Sequence, residues 1–315
     1  MKEPLIVLTG PTASGKTALS IELAKAIGGE IISADSMQVY RQMDIGTAKI
    51  RPEEMEGIPH YLVDVLEPDD PFNVVVFQQM AKAAMKKIRE NGHIPIIVGG
   101  TGFYIQAILN DIDFKENEDD GYRSHLEAMA ASDGGPERLY EMLKEVDPES
   151  TEKIHCHNTK RVIRALEYFH QTGQKISEHN EQESRKESPY NFAYFVLNRP
   201  REVLYERIDQ RVDQMMEEGL VQEVRKLKDR GYDRSLVSMQ GLGYKEILAY
   251  FDGELSLEEA VYILKRDTRH FAKRQLTWFR RERDVIWLDK SEIGREDEQL
   301  IQQMLTVLKE KEIIH

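Results

Sequence analysis

The chain has 315 residues, 40% apolar and 31% charged, the composition of a globular protein with material for a full core and a length that predicts about two domains. No run approaches the roughly 20 apolar residues of a membrane span, and Met-Lys-Glu-Pro leads straight into a strand-like segment, which argues against a signal peptide and makes cytoplasm the expected compartment. A net charge of −13 argues against uniform coating by nucleic acid, and the single cysteine, Cys156, excludes an internal disulfide and fits a reducing compartment.

In chain order, residues 4–9 (PLIVLT) predict a short apolar strand, and residues 18–29 (ALSIELAKAIGG) predict a helix with Gly28 as its stop. Further strands are expected at 30–35 (EIISAD), 60–66 (HYLVDVL), 93–100 (HIPIIVGG), 192–198 (FAYFVLN) and 284–289 (DVIWLD), with helices at 72–91 and 102–110. Alternating strands and helices predict an α/β fold, a mostly parallel sheet with helices on both faces. Residues 114–190 carry amphipathic helical patterns at 136–146 and 158–173, a polar tract at 177–191 and no strand pattern. They read as an all-helical insertion into a core formed by 1–113 and 191–315. Long helices are predicted at 200–227 and 257–281.

Between the first strand and helix lies Gly10-Pro11-Thr12-Ala13-Ser14-Gly15-Lys16-Thr17, which fits the phosphate-loop pattern G-x-x-x-x-G-K-[ST] in the strand–loop–helix setting that pattern requires. Such a P-loop NTPase-like loop offers successive N–H groups and a helix N-terminus to an anion; Lys16 adds a point charge, and the Thr17 hydroxyl suits Mg²⁺. Asp35 ends a strand with no second acid beside it, as an ATPase would carry; it reads as a base, a Mg²⁺ partner through water, or an N-cap. In VGGTGFY (98–104), Gly99, Gly100 and Gly102 would let backbone approach a ligand and Thr101 would offer a hydroxyl. A glycine turn with no ligand is the plain alternative. Arg207 and Arg211 share a helical face and could grip a diphosphate, or pair with Glu206 and Asp209. His155 and His157 lack further ligands at zinc spacing and read as surface or RNA-facing groups. Residues 263–283 set eight bases against two acids, a local balance of +6 and a candidate phosphate-binding patch.

Taken together, residues 10–17, ADSMQVYRQMDIGTAK (34–49), GIPHYLVD (57–64), 98–104, NTKRVIRALE (158–167), QGLGYKE (240–246) and AKRQLTWFRR (272–281) resemble the tRNA dimethylallyltransferases, in family order along nearly the whole chain. No zinc-finger tail of the eukaryotic kind is seen, so the resemblance is to the short bacterial form. It implies transfer of the dimethylallyl group of dimethylallyl diphosphate to N6 of adenosine 37 in tRNA, with Mg²⁺ assisting, by a monomer with no membrane partner. It also implies that residues 10–17 hold the diphosphate with Thr17 on the metal. Asp35 would accept the N6 proton, Thr101 would sit at the base or the bridging oxygen, and Arg211 with Arg207 would neutralise the leaving group.

By the same resemblance, Asp35, Ser36, Met37, Gln38 and Thr101 would meet the flipped base. Thr159, Lys160, Arg161, Val162 and Ile163, and Gln240, Gly241, Leu242, Gly243, Tyr244 and Lys245, would contact RNA, as would Arg123, Lys273 and Arg274. The insertion would clasp the anticodon stem-loop. Thr159-Lys160 departs from the Asp-Pro or similar pair that family members often carry after the equivalent of Asn158, which bears on that local RNA contact alone. A P-loop nucleoside or small-molecule kinase shares the loop and sheet, but would not need the basic patch or so large an insertion. A non-catalytic RNA-binding protein would not need Lys16, Asp35 and Arg211 together.

Overall fold

The structure, a computed structural model, describes residues 2–114, 120–290 and 297–315. In chain order its elements are β1 (Glu3–Thr9), α1 (Lys16–Ile27), β2 (Gly29–Ser33), β3 (His60–Tyr61), α2 (Val74–Glu90), β4 (Ile94–Gly99) and α3 (Gly102–Leu109). There follow α4 (Tyr122–Ala130), α5 (Gly135–Val146), α6 (Pro148–Lys153), α7 (Thr159–Thr172) and α8 (Ile176–Arg185). The last are β5 (Tyr190–Asn198), α9 (Arg201–Glu218), α10 (Leu220–Asp229), α11 (Tyr244–Phe251), α12 (Leu257–Phe279), β6 (Val285–Asp289) and α13 (Asp297–Glu310).

The chain divides into two compact units, residues 1–109 with 189–315, and residues 110–188. In the first, six strands form one sheet in the order β3-β2-β4-β1-β5-β6, every pairing parallel. A parallel strand covered on both faces must be apolar on both, and Leu5, Ile6, Val7 and Leu8 of β1 are all fully buried. Leu5 and Val7 pack with Ile97, Tyr194, Phe77, Ile105, Val212, Ile247 and Leu264, so α2, α3, α9, α11 and α12 cover that face. Ile6 and Leu8 pack with Phe195, Leu19, Leu23, Leu300 and Met304 from α1 and α13 on the other. Helices on both faces leave the strand ends as the open side. The segments after β1, β2, β4 and β5 leave the carboxyl ends of neighbouring strands, where such sheets bind ligands.

Three expected elements differ. The strand at 60–66 is two residues long, because Leu62 (φ 61) and Asp64 (φ 60) turn left-handed and cannot extend the ladder. The helix at 200–227 breaks at Gly219 (φ 106), which ends α9 and starts α10. The polar tract holds α8, whose start is fixed by buried Asp147: its carboxylate accepts from the N–H and hydroxyl of Ser177 as well as from Ser150. Gly28 stops α1 as expected, left-handed with its N–H on the Ala24 carbonyl. The second unit packs α4, α5 and α7 around Leu126, Leu139, Leu143, Val162 and Leu166; residues 115–119 of the acidic segment that opens the expected insertion lie outside the described residues.

Candidate active site

A cavity of ≈380 Å³ opens in the first unit. Thr12, Asp35, Ser36, Met37, Thr101, Arg211, Gln240, Gly241, Leu242, Lys245 and Arg274 of the expected residues line it, together with Gly46, Thr47 and Ala48. Ile208, Val212, Met215, Leu264 and Phe271 give it an apolar side. A pocket with convergent charges against an apolar wall suits a ligand that is part anion and part hydrocarbon or base.

The phosphate loop is held through its carbonyls, once from within and twice by arginines from farther along the chain. Lys16 Nζ donates to the Pro11 carbonyl at 2.8 Å, Arg207 Nε to Ala13 O at 2.9 Å, and Arg199 Nε to Ser14 O at 2.9 Å. Two of the loop's own N–H groups are used within the protein, that of Thr12 by the Gln275 amide oxygen at 2.9 Å and that of Ser14 by the Pro11 carbonyl at 3.3 Å, so Lys16 and the two arginines fix the course of the loop through its carbonyls. Gly10 (φ 147) lies so close to β5 that a Cβ there would fall 2.3 Å from the Leu197 carbonyl oxygen. Ser14 Oγ is buried and has no hydrogen-bond partner among the described residues. Burial, and then the charge of Arg211, lower the Lys16 ammonium to about 8, while Asp35 opposes them. Arg211 is likewise held below its ordinary range by burial and by Arg207. Thr17 is exposed and its hydroxyl takes no hydrogen bond among the described residues.

Asp35 does two things at once. Its Oδ1 accepts from the N–H of Met37 at 2.8 Å and of Gln38 at 3.3 Å, the capping role, while Oδ2 carries no hydrogen bond among the described residues and the residue lines the cavity. Thr101, at the start of α3, takes the Ala34 carbonyl with its N–H and leaves its hydroxyl unengaged.

Several expectations are corrected. The glycines of 98–102 serve close packing within the protein, not approach of a ligand. A Cβ on Gly99 would meet Ala34 backbone at 2.3 Å, one on Gly100 the amide of Gln275 at 2.2 Å, and one on Gly102 the ring of Trp278 at 2.2 Å. Arg207 binds the anion loop's backbone, its Nε donating to the Ala13 carbonyl, while Asp209, its alternative partner, pairs with Arg269. Gln38 donates its amide to the carbonyls of Thr47 and Ala48, shaping the cavity wall instead of lining it. Val162 and Ile163 are buried in the second unit's core and Tyr244 in the first, so none of these side chains is a surface contact, and Gly243 is buried beside Tyr244. In the second unit Thr159 is half-buried and Lys160 and Arg161 are exposed, while Arg123 is ion-paired to Glu127 and Glu167. On α12, Lys265, Arg266 and Arg269 pair with acids, which narrows the basic patch to Lys273, Arg274, Arg280, Arg281 and Arg283, all exposed. The donor atoms of His155, Cys156 and His157 lie within 4.8 Å of one another, but His155 Nδ1 already accepts the His157 N–H.

Glu223, Arg199 and Gln275 were not singled out in the sequence. Glu223 accepts from the N–H groups of Asp44, Ile45 and Gly46 and from the Tyr244 hydroxyl at 2.7–3.0 Å, so one carboxylate fastens the 44–48 wall to α10 and α11. Glu223→Ala strands these donors; the expected cost, read from a thermal or denaturant melt, is about 1–3 kcal/mol. Each of these three residues acts on a partner far away in the chain, which no local pattern announces.

The chain matches the family model for IPP transferase over residues 38–282, a span that starts just after the phosphate loop and Asp35. Relatives matching along the whole chain cover those too. It is 64% identical over 313 residues to the tRNA dimethylallyltransferase of Lachnoclostridium phytofermentans, with 99% of each chain covered. With that of Carboxydothermus hydrogenoformans it shares 48% identity, over 97% of each chain. Among solved structures it resembles the tRNA isopentenylpyrophosphate transferase of Bacillus halodurans at 45% identity and TM-score 0.74, over 99% of this chain and 98% of that one. A eukaryotic dimethylallyltransferase acting on tRNA superposes with TM-score 0.83 at 30% identity, over 98% of this chain and 79% of that one.

Proposed function

The chain belongs to the IPP transferase family, the tRNA dimethylallyltransferases, and from that membership we propose that it moves the dimethylallyl group of dimethylallyl diphosphate onto N6 of adenosine 37 in tRNA. The observation that carries this reading is a single cavity in which a carboxylate (Asp35), a hydroxyl (Thr101) and a buried arginine (Arg211) converge beside the anion loop, whose Thr12 lines it. An ATPase needs an acid pair to hold metal and activate water; a prenyl transfer to an amine needs one base and a held leaving group.

In this reading the diphosphate lies against residues 10–17, where the buried Ser14 Oγ, Lys16 and Arg211 fit an anion. The isopentenyl carbons lie along Ile208, Val212, Met215 and Leu264. The N6 nitrogen attacks C1 of the dimethylallyl group, the C1–O bond breaks toward diphosphate, and the N6 proton passes to Asp35 Oδ2. Thr101 donates to the bridging oxygen or the base, and Arg211 meets the charge that grows on the leaving group. The Thr17 hydroxyl, a hard oxygen donor, would hold Mg²⁺, which when bound would neutralise diphosphate charge and make it a better leaving group.

Adenosine 37 must leave its stack to enter the cavity, at a cost of about a few kcal/mol. Ser36, Met37 and the 240–242 turn wall the place it would occupy. Lys245, Arg274 and the exposed bases of α12 supply phosphate contacts, and residues 110–188, through Lys160 and Arg161, grip the anticodon stem-loop. Among the described residues no helix is long and apolar enough to cross a membrane.

Incubation with unmodified tRNA and labelled dimethylallyl diphosphate, with ATP and candidate acceptors in parallel, tests the proposal. Label is expected in tRNA without ATP. ATP turnover with unlabelled tRNA would sink it.

A further inference from the structure

One buried side chain touches both loops that frame the cavity. Gln275, on α12, is 6% exposed, and both polar atoms of its amide are bonded to backbone groups distant in the chain. Its Oε1 accepts the Thr12 N–H at 2.9 Å, and its Nε2 donates to the Gly100 carbonyl at 2.9 Å. Thr12 lies in the anion loop and lines the cavity; Gly100 immediately precedes Thr101, which lines it from the other loop. The approach is so close that any Cβ at Gly100 would fall 2.2 Å from Nε2.

Strands β1 and β4, from which the loops spring, are already registered by their own ladder and by Thr9 Oγ1 on the Gly99 carbonyl. The sheet therefore does not need Gln275. Its two bonds act beyond the strand ends, on the residues that carry the site's side chains. The amide's oxygen and nitrogen are a fixed distance apart, so the spacing of the loops is set by a rigid group. That group is anchored by a helix whose Ala272 and Phe279 are fully buried and whose Trp278 seats on Gly102 of the same loop.

We propose that Gln275 is a positioning residue that holds the donor-binding loop and the Thr101 loop in register for transfer; this rests on the prenyl-transfer reading above. Register between two loops matters when both substrates react, and little when either one binds alone. Misplacing reacting groups by about 1 Å costs on the order of 100-fold in rate.

The test uses the full chain with dimethylallyl diphosphate, an unmodified anticodon stem-loop, and inorganic pyrophosphate as a probe of the anion loop by itself. Gln275→Met removes both bonds at nearly constant volume and is expected to lower kcat on the order of 100-fold, with both KM values and pyrophosphate binding changed by no more than about threefold. Gln275→Asn keeps the amide but falls one methylene short, reaches one loop at a time, and is expected to give little rescue. Full rescue by Asn overturns the inference, because polarity and not reach would then be what counts. Pyrophosphate binding weakened about tenfold or more in Gln275→Met also overturns it, since Gln275 would then serve the anion loop alone. If wild type labels the RNA and Gln275→Met keeps its kcat, this inference fails by itself. If wild type leaves the RNA unlabelled, the transferase reading fails first and takes this inference with it.

Discussion

Asp35→Asn is expected to slow prenyl transfer on the order of 10²–10⁴-fold, the range of a lost general base, while RNA binding stays within about threefold. Asparagine is the informative replacement because Asp35 has two jobs. Its Oδ1 caps the turn into residues 36–38 by accepting from Met37, and an amide oxygen in the same place still does so. What asparagine cannot do is take a proton from N6. Asp35→Ala removes both functions and is expected to lose somewhat more, with a measurable fall in melting temperature from the broken cap. The two variants separate base from scaffold: single-turnover transfer and stem-loop affinity are measured for both. If Asn transfers like wild type while Ala does not, Asp35 is a turn residue and the base must be sought elsewhere.

That double role shows how far a sequence can be read. The phosphate loop and Asp35 were legible because their positions follow from local order: a strand, a glycine-bounded turn, a helix, then an acid at the next strand's end. The insertion was legible from what it lacks, since no alternating pattern interrupts residues 114–190. The glycines of 98–102 were legible as close approach, yet the partner was misjudged. A glycine records that something comes near, and whether that is a ligand or the Trp278 ring far along the chain is a tertiary fact. Arg207 was placed beside Arg211 by helical spacing, but that its Nε ties down the Ala13 carbonyl is a tertiary fact no local pattern announces. Val162, Ile163 and Tyr244 sit inside strings that carry the family resemblance, and they are buried. A recurring string mixes the residues that touch a substrate with those that hold the first kind in place.

Lys16→Met is expected to weaken binding of dimethylallyl diphosphate about 10–100-fold at pH 7, the loss of one to two charge-assisted hydrogen bonds, and to make the protein more stable. The second half follows from the Lys16 environment. Burial and the nearby Arg211 lower its ammonium to about 8 in the donor-free protein, against 10.5 for an ordinary lysine. Below pH 8 the group is charged in both folded and unfolded chains, and the folded state bears the full cost of burying it. Between 8 and 10.5 the folded protein gives up the proton first, and that cost is progressively relieved. Replacing the ammonium with an apolar chain of similar length should therefore raise the melting temperature at pH 7 by about 2 °C or more, a gain that fades as the pH approaches 10.

Donor affinity should show the same group from the other side. In wild type it is expected to fall as pH rises through 8, because an anion must then recruit a proton along with itself. In Lys16→Met it should be nearly flat from pH 7.5 to 9.5. Calorimetric titration in two buffers of different ionisation enthalpy would register the proton taken up by wild type and its absence in the variant. A variant that melts lower than wild type at pH 7 would show that the empty loop already satisfies the ammonium. Lys16 would then be holding the loop through the Pro11 carbonyl, not waiting for a diphosphate.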